Sequence, residues 1–242
     1  MSVDHQVVAP DLYGYGRSPE WDKARPLSLT DEIKLLQPVL DSLCERFHLV
    51  GHSYGAAVAF KIALLHPNRV RSLVAYEPVL FNLLGPVSDS PIAADIGRMK
   101  DDVMQKVSAG DLVTAARRFV DYWSGDGAFS SLSDWQRDTI AKRMPKVVSD
   151  FDAVMNNPST LDDYRDLDIP ILFLYGAQSP APTRRIAEWL GGALPKAEVR
   201  ALLPLGHMGP LTHAEQVYRL IDRFIRRQPT GIPVHQLRRS RG

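Results

Sequence analysis

The chain has 242 residues, 45% hydrophobic and 24% charged, which suits one globular domain and excludes a disordered or fibrous protein. Its 29 basic and 28 acidic residues leave a formal charge of +1, so neither nucleic acid nor an acidic membrane surface is an expected partner. A single cysteine, Cys44, excludes an internal disulfide, no Cys/His cluster has zinc spacing, and no leader or membrane span is read in the sequence, so a soluble cytoplasmic protein is expected.

Gln6 to Ala9 reads as a short buried strand, stopped by Pro10-Asp11 and followed by the glycine- and tyrosine-rich loop Leu12 to Pro19. Thr30, with Asp31 and Glu32 behind it, is expected to cap a helix that places Ile33, Leu36, Leu40 and Leu43 on one face and is bent by Pro38. Phe47 to Val50 is the next strand. It runs into Gly51-His52-Ser53-Tyr54-Gly55 and then a buried helix from Ala56 to Leu65, the strand, sharp turn and helix that expose a serine hydroxyl at a sheet edge. The glycines are expected at both flanks because a side chain there would clash. A plain glycine-bracketed turn is the alternative.

Val70 to Tyr76 is a further apolar strand, closed by Glu77-Pro78; strand, helix, strand spacing implies parallel strands with a right-handed crossover. From Gly85 to Tyr164 helical periods take over, at Ile92 to Val107, Leu112 to Trp123, Trp135 to Met144 and Val147 to Met155, with a break at Ser124 to Gly127. This stretch is expected to form a lid over the strand ends. The alternation resumes with the strand Ile169 to Tyr175, the helix Thr183 to Leu190 and the strand Val199 to Leu205. After the loop Gly206 to Pro210, Thr212 and Glu215 suggest a capping box for a last helix, Ala214 to Arg227, and a basic tail follows from Gln228.

From Val7 to Arg227 these residues resemble the α/β-hydrolase fold family: Asp11 with Gly14 to Ser18, the Gly51 to Gly55 elbow, a helical insertion, the strand ending Tyr175-Gly176, and Gly206-His207 before the final helix. The resemblance implies a mostly parallel sheet flanked by helices, with residues 1–84 and 165–227 as core, 85–164 as helical cap and 228–242 as tail. Ser53 is then the nucleophile and His207 its base, since a serine hydroxyl needs a positioned base to lose its proton. His5, His48, His66, His213 and His235 lie at a terminus, in a strand, at helix ends or in the tail, and His52 is expected to point away from the base position. In most members an aspartate follows the strand that ends here at Gly176, but Ala177-Gln178-Ser179-Pro180 has no carboxylate. A minority take the acid from the preceding strand, where Glu77 stands; its alternative reading is a strand-end cap. Asp11 is expected to pin the glycine loop.

A serine nucleophile implies an acyl-enzyme and no cofactor or metal, and leaves esters, thioesters, lactones, amides and carbon-carbon bonds flanked by carbonyls open. The Tyr54 N–H is one oxyanion donor. His52, Phe81, Trp123 and Met208 are expected at the substrate pocket, with Phe129 and Trp135 as further cap side chains. The family's earlier strands and its His-Gly oxyanion loop have no counterpart here, so the chain reads as N-terminally truncated, with Met1 a misassigned start or the sheet altered. Two functions follow: a serine hydrolase of a small apolar acyl compound, or a truncated or degenerate homologue without turnover that serves as a binding or interaction protein.

Overall fold

The computed structural model describes residues 5–22, 24–43, 46–87 and 91–228. Four strands, β1 (Phe47–His52), β2 (Val70–Tyr76), β3 (Ile171–Gly176) and β4 (Ala197–Leu202), form one sheet in that order, every neighbouring pair parallel. Parallel strands need crossovers, and these supply the helices: α1 (Leu29–Ser42) leads into β1, α2 (Tyr54–Leu65) joins β1 to β2, and α7 (Ala181–Ala193) joins β3 to β4. Between β2 and β3 stand α3 (Pro91–Ser108), α4 (Leu112–Ser124), α5 (Asp134–Met155) and α6 (Leu161–Arg165); after β4 come the short α8 (Gly209–Thr212) and α9 (Ala214–Arg226).

Side chains of β2 and β3 alternate between two apolar clusters. Leu73, Ala75, Ile171 and Phe173 pack in the cluster that also holds Phe60 of α2 and Ile186 of α7, whereas Val74, Tyr76, Leu172 and Leu174 pack with Val217, Ile221 and Phe224 of α9. A strand covered on both faces reads as a continuous apolar run, which is why β2 and β3 stand out in the sequence. At the sheet edge β1 is only partly buried: Val50, the register partner of Val74, is 46% exposed.

Several expectations are corrected. Gln6 to Ala9 is not a strand; Val7 and Val8 are exposed, because no strand among the described residues offers them a ladder and no helix covers them. Helix α1 is capped by Ser28 instead of Thr30: Ser28 Oγ accepts from the Asp31 N–H, and Asp31 accepts from the Ser28 N–H, closing a capping box two residues earlier. The two helices expected around Pro145 are one, α5, whose buried stripe of Ala141, Met144, Phe151 and Val154 continues through the proline. Thr212 does not cap α9; it ends α8, its hydroxyl lying 3.2 Å from the Met208 carbonyl, while Glu215 pairs with Arg219. Strand β4 stops at Leu202, ahead of Pro204, which has no N–H for a ladder. Asp11 does hold the glycine loop, accepting from the Arg17 N–H and, through its carbonyl, from Ser18 Oγ. Cys44 and the tail beyond Gln228 lie outside the described residues.

Candidate active site

Strand β1 ends at His52 and α2 starts at Tyr54, so Ser53 alone makes the turn, with φ 55° and ψ −121°. A non-glycine residue in that region costs on the order of 1–3 kcal/mol and persists where the surroundings enforce it. Here the Ser53 N–H donates to the Tyr76 carbonyl at 3.0 Å, and the Ser53 carbonyl accepts from Ala56 and Ala57 in the first turn of α2. Gly51 is sterically required, since a Cβ there would lie 2.5 Å from the Ala56 Cα and 2.6 Å from the Gly55 carbonyl. Gly55 is not: a Cβ there meets nothing within 4 Å, which corrects the expectation that both flanking positions exclude a side chain.

The structure brings Ser53, His207 and Glu77 together. Ser53 Oγ lies 3.0 Å from His207 Nε2, and His207 Nδ1 lies 2.6 Å from Glu77 Oε2. His207 and Glu77 are buried, at 4% and 0% exposure. Glu77 also has a positive φ, 49°, immediately past β2. Its other carboxylate oxygen accepts from the Gly176 N–H at 2.7 Å and from the Ser179 hydroxyl, and Thr183 Oγ1 stands 3.1 Å from Oε2. Burial by itself raises the Glu77 pKa, but the His207 hydrogen bond and charge, with Ser179 and Gly176, bring it below the usual carboxylate range. Sequence reasoning missed Ser179, Thr183 and the Gly176 N–H. The stretch without a carboxylate after β3 supplies the donor that receives the acid of β2. All of these groups converge because a parallel sheet sends every strand end to one edge.

The sequence profile of the alpha/beta hydrolase family matches residues 2–220. The chain belongs to this family. It is 26% identical over 237 residues to a 2-hydroxymuconate semialdehyde hydrolase of Pseudomonas putida, covering 93% of this chain and 78% of that one. To a pimeloyl-[acyl-carrier protein] methyl ester esterase of Nitrosomonas europaea it is 25% identical over 224 residues, covering 90% and 83%. Among solved structures, MGS-M2, an alpha/beta hydrolase enzyme from a Medee basin deep-sea metagenome library, superposes with a TM-score of 0.71 at 17% identity, over 93% of this chain and 80% of that one, a likeness of fold.

In this alpha/beta hydrolase the surroundings of the Ser53–His207 pair are aromatic. Trp123 of α4 is buried and stacks on the His207 imidazole, ring centroids 4.2 Å apart and planes inclined by 29°. Phe81, buried beyond β2, lies nearly parallel to Trp123 at 6.4 Å. The Trp123 indole N–H is buried without a hydrogen-bond partner. His52 does not face Ser53; its Nε2 is 2.9 Å from the His207 carbonyl, and burial beside the second imidazole lowers its pKa to about 4. With Tyr76, whose hydroxyl donates to the Gly206 carbonyl at 2.7 Å, it holds the histidine loop from below. Met208 is half-buried, and its carbonyl accepts from Leu211 and Thr212. Phe129 is buried, whereas Trp135 is 75% exposed. A groove of about 330 Å³ bounded by Asn82, Met155, Asn157 and Trp189 includes none of Ser53, Glu77 or His207. No group of three metal-ligating side chains occurs among the described residues.

Proposed function

We propose that this chain is a serine hydrolase that cleaves a carboxylic ester or related acyl compound through an acyl-enzyme. The supporting observation is the chain of contacts from Ser53 Oγ through His207 to Glu77. In this reading Ser53 Oγ attacks the substrate carbonyl as its proton passes to His207 Nε2, and Glu77 fixes the imidazole and stabilises its protonated form. The Tyr54 N–H, at the start of α2, faces the oxygen that gains charge. His207 then returns the proton to the departing alkoxide, leaving Ser53 acylated. A water, deprotonated by His207, releases the acid and restores the serine.

The aromatic surroundings bear on the substrate. Phe81 and Trp123 suit an apolar acyl or alkyl group, and the unpartnered Trp123 N–H suits a hydrogen-bond acceptor on it, because a buried donor left unpaired costs about 1–3 kcal/mol. Relatives over most of the chain include a methyl ester esterase, which favours esters as first substrates to try.

A fluorophosphonate probe tests the proposal. Wild type should be labelled on Ser53 and should hydrolyse p-nitrophenyl butyrate. Ser53→Ala should lose labelling, and Glu77→Gln should lower turnover by on the order of 10²-fold to 10⁴-fold. A wild type that is folded and yet neither labelled nor active supports the other reading, a homologue without turnover that binds its ligand under the helices.

A further inference from the structure

Beside the site lies a buried charged cluster that the chemistry above does not use. Lys146, from α5, donates to Glu32 Oε1 at 3.3 Å and pairs with Asp150 one turn further along. Glu32, from α1, is fully buried, and Lys146 and Asp150 are each 7% exposed. The Tyr54 hydroxyl donates to Glu32 Oε1 at 3.0 Å, the Tyr13 N–H donates to Oε2 at 3.0 Å, and the Tyr15 hydroxyl donates to Asp150 Oδ2 at 2.6 Å. The ammonium of Lys146 is flanked by two rings, 5.0 Å from the centroid of Tyr15 and 5.1 Å from that of Tyr54.

Burying one ammonium and two carboxylates is expensive, and apolar side chains of the same volume often hold a fold equally well. What distinguishes this cluster is the residue it grips. Tyr54 directly follows Ser53 and is the first residue of α2, so the direction of its backbone N–H depends on where that first turn sits. The phenol of Tyr54 is the lever: its end is bonded to α1 and its face is covered by a cation from α5. We propose that Glu32 and Lys146 are positioning residues for the oxyanion site, fixing the Tyr54 N–H through its phenol and coupling that donor to the seating of helix α5. This rests on the reading of Ser53 as nucleophile. The transition state alone carries charge on the oxygen that Tyr54 faces, so a loosened lever affects turnover and leaves substrate binding nearly unchanged.

Tyr54→Phe keeps the ring under Lys146 and removes only the bond to Glu32; Glu32→Gln weakens the same grip from the other side. Each should lower kcat for p-nitrophenyl butyrate about tenfold with KM within about twofold, as for a misplaced transition-state donor. An alkyl boronic acid, whose tetrahedral adduct with Ser53 puts an oxygen in the same place, should bind each variant more weakly in proportion to the loss in kcat/KM. The double variant should be no slower than the slower single one, because both remove one interaction. The proposal is overturned if kcat in Tyr54→Phe stays within twofold of wild type, if KM rises instead, or if boronate affinity is unmoved. Should Tyr54→Phe fail to fold, Glu32→Gln gives the same three readings. Fluorophosphonate labelling separates the two levels: a labelled wild type with indifferent variants removes only the positioning role, whereas an unlabelled, folded wild type removes the Ser53 reading and this role with it.

Discussion

The two glycines of the elbow differ in what they do. Gly51 sits where the backbone of α2 passes over the end of β1, and a methyl group there would have to displace the main chain of Gly55 and Ala56. Gly55 stands in the first turn of α2 with open space at its Cβ position and no positive φ. Gly51→Ala should therefore abolish labelling at Ser53 and destabilise the fold by about 1–3 kcal/mol or more, the cost of overpacking. Gly55→Ala should keep the fold and raise stability by about 0.5–1 kcal/mol, since alanine in a helix loses less conformational freedom than glycine. Thermal denaturation of the two variants, with probe labelling beside it, checks the contrast; equal damage from both would mean that Gly55 is needed for room that substrate occupies. Ser53 and Glu77 share a positive φ, so the residues proposed as nucleophile and acid both turn sharply away from their strand ends toward the same imidazole.

Helix α1 shows how local chemistry decides a boundary. Ser28 and Thr30 are both capping residue types, and the acidic pair Asp31-Glu32 follows either. The structure selects Ser28 because Asp31 then occupies the third helical position, from which it returns a bond to the Ser28 N–H, and because Arg25 grips both oxygens of Asp31 at 2.7 and 2.8 Å. Bonding from Arg25, opposed by burial and aided by Ser28, holds the Asp31 carboxyl well below its usual range. Ser28→Ala should cost about 1 kcal/mol in denaturant unfolding, and Thr30→Ala much less; the reverse order would place the helix start at Thr30. The same element scale explains what was legible. Strands β2 and β3 and helix α2 announce themselves by unbroken apolar runs, and α4 by its clean stripe ending at the glycines beyond Ser124. Gln6 to Ala9 carries the composition of a strand, but a ladder needs a neighbour, and composition holds no information about that neighbour. Pro145 has the signature of a helix break, yet the buried stripe on both sides of it outweighs one missing N–H. Glu77 was legible from its place after β2, whereas Ser179 and Thr183, which hold it, lie about a hundred residues away and belong to no local pattern.

For the molecule as a whole, the half-buried His48 and His52 and the buried Asp150 pull the response to mild acid in opposing directions. His48, bonded to Ser72 on the next strand, is lowered to about 4 by burial and by the nearby charges of Arg71, His5 and Arg46, and His52 is lowered to a similar value. Unfolded, each binds a proton near pH 6.5, so between about 6.5 and 4 the unfolded chain holds more protons and stability falls as pH falls. Asp150 runs the other way. Burial pushes it up to about 6 against the pull of Lys146 and Tyr15, so between about 4 and 6 the folded chain holds more protons, and stability rises as pH falls. Glu32, which shares Lys146 with it, is the other charge that acts on that carboxyl, and Arg143 lies over the ring of Tyr15, whose hydroxyl donates to Asp150. Two histidines outweigh one carboxyl, so the melting temperature should drop as pH is lowered from 7 to 5. His48→Asn should flatten that drop by removing one of the two proton-binding groups, while leaving p-nitrophenyl butyrate turnover at pH 7 unchanged, because His48 lies at the start of β1, bonded to Ser72 and away from Ser53 at the strand's other end. Asp150→Asn should steepen it, because a carboxyl that gains stability from protonation in this range is gone. Melting curves from pH 4 to 7 on the two variants and wild type decide the assignment: an unaltered slope in His48→Asn would mean that His48 binds its proton equally in the folded and unfolded chains.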